Sequence, residues 1–147
     1  MPLTLQRQGD SECQLAVFAM LHDVPLSEVR VLALHMVSEI AGVEVTHWVD
    51  VCGDNALAWK VLDELTELFL GAKIDRRHIR NMPCGTNIIP NGKGEFVLAG
   101  PGCCHAVAYC DGLVYNSNGD SPMNEEAFNR YLIEYKFEII QVIPLKE

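Results

Sequence analysis

In the first half of the chain, apolar positions recur at helical spacing. Leu15, Phe18, Ala19 and His22 fall on one face of a helix that begins near Cys13, with Asp10 and Ser11 as capping candidates and Val24-Pro25 as its break. Ser27 then caps a second helix through Val29, Leu32, Ala33, Met36 and Val37, which ends before Gly42. A third opens near Asp54, passes through Leu57, Val61, Leu65 and Leu68, and stops at Gly71. The stretch 75–94 is rich in Arg, Asn, Gly and Pro, and reads as a long irregular connection with a short strand at Ile88-Ile89.

The second half changes period. Glu95 to Ala99 reads as a strand, followed by a Gly100-Pro101-Gly102 turn. His105 to Cys110 is the next strand, and Leu113 to Tyr115 its hairpin partner across Asp111-Gly112. Glu125 to Tyr135 reads as a short helix and Phe137 to Ile143 as a closing strand. Helices come first and antiparallel strands later, so the fold class is α+β, with N-terminal helices packed on a C-terminal antiparallel sheet. No repeat, low-complexity run or linker divides the chain, and 1–147 is expected to form a single domain.

Charge narrows the functional classes. Eleven Lys and Arg against twenty Asp and Glu leave a net charge of −9, which argues against sequence-independent nucleic-acid binding and against anionic membranes. No apolar run approaches the roughly 18 residues of a spanning helix. The N-terminus has no apolar h-region and reads as the start of a soluble, cytoplasmic protein. A reducing compartment argues against bridges among the six cysteines, and no C-x-x-C pair supports a zinc site. His105 with Cys103, Cys104 or Cys110 is a third, metal-binding reading, weakened because adjacent strand residues face opposite sides. The expectation is therefore no metal and no cofactor.

Cys13 opens a helix directly after the polar segment Gln8-Gly9-Asp10-Ser11-Glu12. Unsatisfied N–H groups and the helix dipole there favour a thiolate. A cysteine nucleophile needs a base. Of the five histidines, His105 is best placed, at a strand start after a tight turn; His47 is second, and His22, His35 and His78 lack such a setting. Asn116 ends the hairpin strand and is the candidate to orient the imidazole, with Asp120 as the alternative third member. Gln8 is the candidate oxyanion donor together with the Cys13 N–H. Each residue also has a plain structural reading: a small core thiol, a hydrogen-bonded strand histidine, ordinary turn composition. The combination in the order Gln, Cys, His, Asn carries more than any member.

Gln8-Gly9-Asp10-Ser11-Glu12-Cys13-Gln14-Leu15-Ala16-Val17-Phe18-Ala19-Met20-Leu21, continued by Val24-Pro25-Leu26-Ser27-Glu28-Val29, resembles the opening of papain-like cysteine peptidases of the bacteriocin-processing (C39-like) type. Gly102-Cys103-Cys104-His105-Ala106-Val107-Ala108-Tyr109, then Asp111-Gly112-Leu113-Val114-Tyr115-Asn116, is similar to that family's histidine strand, its Asp-Gly hairpin and the Asp or Asn that ends it. These stretches cover about a third of the chain. The resemblance implies a papain-like fold and a small stand-alone member of bacterial or phage origin, acting in the cytoplasm, or in the host's if phage-encoded. It implies cysteine-dependent hydrolysis of peptide or amide bonds by Cys13, His105 and Asn116, on a peptide or protein substrate. Two departures stand out. Gln14 replaces the usual Gly after the Cys, where its side chain would crowd the cleft. Gln8 lies one residue closer to Cys13 than is common, which leaves Gln6 as a fallback oxyanion donor. The alternative is a catalytically inactive protein of the same fold that binds a host or partner protein.

Overall fold

α1 (Cys13–His22) is apolar on all sides, and every side chain from Leu15 to Leu21 is buried. A helix of that kind belongs inside a protein rather than on it. Here it is enclosed by α2 (Leu26–Ala41), α4 (Asn55–Leu70) and the sheet. Phe18 stacks on Phe69 of α4 at 5.0 Å between ring centroids, and Val29, Ala33 and Val37 turn the inner face of α2 into the same core. The structure, a computed structural model, describes residues 2–7, 9, 12–52, 55–71, 89–101, 103–119 and 121–145.

The sheet is antiparallel with the order β3-β2-β1-β4, from β1 (Lys93–Gly100), β2 (Cys103–Cys110), β3 (Leu113–Tyr115) and β4 (Glu138–Pro144). Asp111 and Gly112 both take positive φ, 50° and 84°, the conformation of the two-residue turn whose twist matches that of its strands. Strand alternation divides the core into two layers. Ala106, Ala108 and Cys110 of β2 face α1, α2 and α4. Val107 and Tyr109 face the other way, joining Phe96, Leu98, Val114 and Ile139 beneath α5 (Glu125–Tyr135). α5 seats Phe128 and Leu132 on that far face, and Asn124 caps it by accepting the Ala127 N–H at 2.8 Å.

The α+β class holds, with two corrections to its parts. Helices pack on both faces of the sheet, since β2 is apolar on both sides and needs cover on both. α2 begins at Leu26 after an extended Pro25 rather than being capped by Ser27; Gln6 Oε1 accepts the Leu26 N–H at 2.8 Å and satisfies that helix-start donor from elsewhere in the chain. A short α3 (Trp48–Cys52) was not foreseen. The capping candidates Asp10 and Ser11, the helix start near Asp54, and Ile88 lie outside the described residues, and Ile89 is not in a strand. Among the described residues no helix is long and apolar enough to cross a membrane.

Candidate active site

His105 and Asn116 are brought together by the hairpin. β2 pairs with β3 through Ala108–Tyr115 and Tyr109–Val114, so the residue just after β3 lies near the start of β2. The His105 Nε2–H donates to Asn116 Oδ1 at 2.8 Å. The same oxygen accepts the Asn118 N–H at 3.1 Å. Two donors on one atom fix which end of the amide faces the ring, and the tight turn from Asn116 to Gly119, closed at 2.8 Å, holds it there. Asn116 is buried, at 5 % exposure. A neutral imidazole protonated at Nε2 carries its lone pair on Nδ1, which makes that atom the one able to take a proton.

The ring is also gripped from the side. Phe137 stacks on it at 6.2 Å and 21°, and Gly100 makes the approach possible, because a Cβ there would stand 2.8 Å from Phe137 Cδ1. Burial lowers the His105 pKa, and the Asn116 bond partly opposes that shift. The ring is therefore neutral at neutral pH, with Nδ1 able to accept a proton. His105 opens on a cavity of about 760 Å³ whose lining includes Asn116, Arg130, Glu134, Tyr131, Tyr135 and Phe137. One wall is thus α5, with three aromatic rings in mutual contact at 4.9 to 6.3 Å.

Cys13 is the first residue of α1, half-buried, a reduced thiol packed against the core layer on the α1 side of the sheet. His105 faces the other layer, and Cys13 does not line the His105 cavity. The structure brings His105 and Asn116 together and sets Cys13 at the N-terminus of α1, packed against the α1-side layer. Gln8 and the alternative Asp120 lie outside the described residues, as does His78. Gln6, the fallback oxyanion donor, is engaged elsewhere: its Nε2 donates to Val24 O at 2.7 Å and its Oε1 accepts from Leu26, which ties the N-terminal segment to the α1–α2 connection. His22 reaches the Phe69 carbonyl, His35 pairs with Glu39 on α2, and His47 meets Thr46. Among the described residues no three metal-ligating side chains gather.

Gln14 does not crowd a cleft. Its amide turns inward and donates to Thr66 Oγ1 at 3.3 Å and Glu95 Oε1 at 3.4 Å. Glu95 is wholly buried, its Oε2 has no hydrogen-bond partner among the described residues, and burial pushes its pKa up to about 8. A carboxylic acid kept neutral at pH 7 was invisible in the sequence, where Glu95 is an ordinary strand start. No protein-family model, curated protein or solved structure matches this chain.

Proposed function

We propose that the chain is a cysteine-dependent hydrolase of peptide or amide bonds, on a papain-like plan, with Cys13 as nucleophile, His105 as base and Asn116 as the residue that orients the ring. The observation that carries this reading is the His105 Nε2–Asn116 Oδ1 bond. It occupies the nitrogen a nucleophile does not need and leaves Nδ1 as the acceptor. Cys13 supports it by position, since an α1 N-terminus stabilises a thiolate.

In the reaction, His105 Nδ1 takes the thiol proton as the Cys13 sulfur forms a C–S bond to the substrate carbonyl. The α1 N–H groups face the negative charge that develops on the carbonyl oxygen. The C–N bond then breaks, and the proton passes from His105 to the leaving amine. Water, deprotonated by the same imidazole, cleaves the thioester and restores the thiol. The mechanism requires the sulfur to reach Nδ1 at the start of β2, although the two side chains pack with different core layers.

A second reading is favoured by that division. The cavity beside His105 is walled by α5 and not by Cys13, as suits a non-catalytic protein that grips a partner. An activated ester such as p-nitrophenyl acetate separates the two. The hydrolase forms an acyl adduct on Cys13, lost in Cys13→Ala and slowed at least tenfold in His105→Ala. Acylation spread over Cys13, Cys104 and Cys110 without preference, and indifferent to His105→Ala, refutes the hydrolase and leaves the binder.

A further inference from the structure

Glu12, the residue directly before α1, is a carboxylate buried to 4 % exposure. Arg30 reaches it from α2 with a two-pronged grip, Nη2 donating to Oε1 at 2.8 Å and Nε to Oε2. Oε1 also accepts the Gly9 N–H at 2.8 Å, while the Gly9 carbonyl accepts the Glu12 N–H at 3.4 Å. Gly9 and Glu12 are thus tied to each other by two hydrogen bonds. A Cβ at Gly9 would stand 2.4 Å from Glu12 Oε1 and would push that carboxylate out of its present place. The Arg30 bonds hold the Glu12 carboxyl below the usual carboxylate range, with burial opposing and the Gly9 N–H assisting.

Burying the Glu12 carboxylate is costly unless it is paired, and Arg30, with its side chain 38 % exposed, pairs with it from the solvent side. Two things follow from where this pair sits. It fixes the backbone on which α1 begins, and so the direction of the N–H groups at Cys13. It also neutralises a negative charge next in the chain to a sulfur that must itself become negative. We propose that the Glu12–Arg30 pair is a positioning device for Cys13, setting the entry turn of α1 and cancelling the carboxylate beside the nucleophile. The proposal rests on the reading of Cys13 as the nucleophile.

The test is the pH profile of Cys13 alkylation by iodoacetamide, followed by peptide mass spectrometry, with melting curves recorded alongside. Arg30→Met leaves the carboxylate uncompensated, so the midpoint moves up by about one pH unit and alkylation at neutral pH slows about tenfold. Glu12→Gln keeps an acceptor for Gly9 and leaves Arg30 unopposed, so the midpoint moves down. An ion pair that only braces the fold would shift both melting curves and neither midpoint, and that result overturns the proposal. Midpoints moving in the same direction overturn it as well. If Arg30→Met does not fold, Glu12→Gln decides alone, an unmoved midpoint being fatal. His105→Ala in the same assay keeps the two readings apart: a flat response there with opposite shifts at Arg30 and Glu12 removes His105 as the base and leaves the positioning device standing.

Discussion

Replacing Glu95 by glutamine tests the buried carboxyl in the α1-side core. Glu95 is enclosed on β1, where Gln14 Nε2 donates one long bond to it at 3.4 Å, and burial raises its pKa from 4.5 to about 8. The unfolded chain releases this proton near pH 4.5, whereas the folded protein holds it until about pH 8. The group's contribution to stability is therefore fully present below about pH 4.5, declines as pH rises, and is lost above about pH 8. Each pH unit in that window is worth about 1.4 kcal/mol, so between pH 4.5 and pH 7 the parent loses about 3 kcal/mol through this group alone. Glu95→Gln keeps the shape and cannot ionise. Any constant cost of seating the amide cancels when the two pH values are compared. Urea denaturation of parent and variant should show the variant gaining about 3 kcal/mol relative to the parent between about pH 4.5 and pH 7. In melting temperature this is roughly 6–12 °C for a chain of this length. Parallel stability curves across that range would mean that water or a counter-charge reaches the carboxyl, and that its burial is not what the structure shows.

Three further outcomes follow from the His105 pair. In an NMR titration the His105 ring should protonate below the ordinary histidine value of 6.5 because it is buried, and its contribution to stability, present above about pH 6.5, should be lost as pH falls from there through the lowered value; a midpoint above 6.5 would contradict it. Asn116→Ala should raise the pH at which Cys13 alkylates and Asn116→Asp, by favouring the imidazolium, should let it alkylate from a lower pH than Asn116→Ala does, whereas three superimposable profiles would remove Asn116 from the site. With Cys104→Ser to prevent side reactions, His105→Cys should be joined to Cys13 by a short bifunctional thiol alkylator, which spans the extra reach of a histidine side chain that a disulfide cannot; failure to cross-link would deny the dyad its geometry.

What could be read in the sequence was local. The Asp111-Gly112 hairpin, the break at Val24-Pro25 and the span of α5 depend on neighbours a few residues away, and these agree with the structure. The pairing of His105 with Asn116 was legible for the same reason, being separated by one hairpin. What depends on distant partners was not. The start of α2 is fixed by Gln6, the inward turn of Gln14 by Thr66 and Glu95, and the burial of Glu12 by Arg30. One signal was present but unused: small residues at 104, 106, 108 and 110 alternate with large ones at 105, 107 and 109, the mark of a strand covered on both faces. It would have foretold α5 on the far side and His105 facing it.

The two helices nearest the candidate residues differ in how they can open. α1 has buried side chains at every position from Leu15 to Leu21 and lies among α2, α4 and β2, so its amides can exchange with solvent only when most of the molecule unfolds. α5 is held to the sheet chiefly through Phe128 and Leu132, with Ile133 and Tyr135 more than half exposed. Its opening free energy is correspondingly small, and its amides should exchange by detaching from the sheet while the rest stays folded. The cavity beside His105 therefore has unequal sides, a floor of strands and an α5 wall held by only two fully buried side chains.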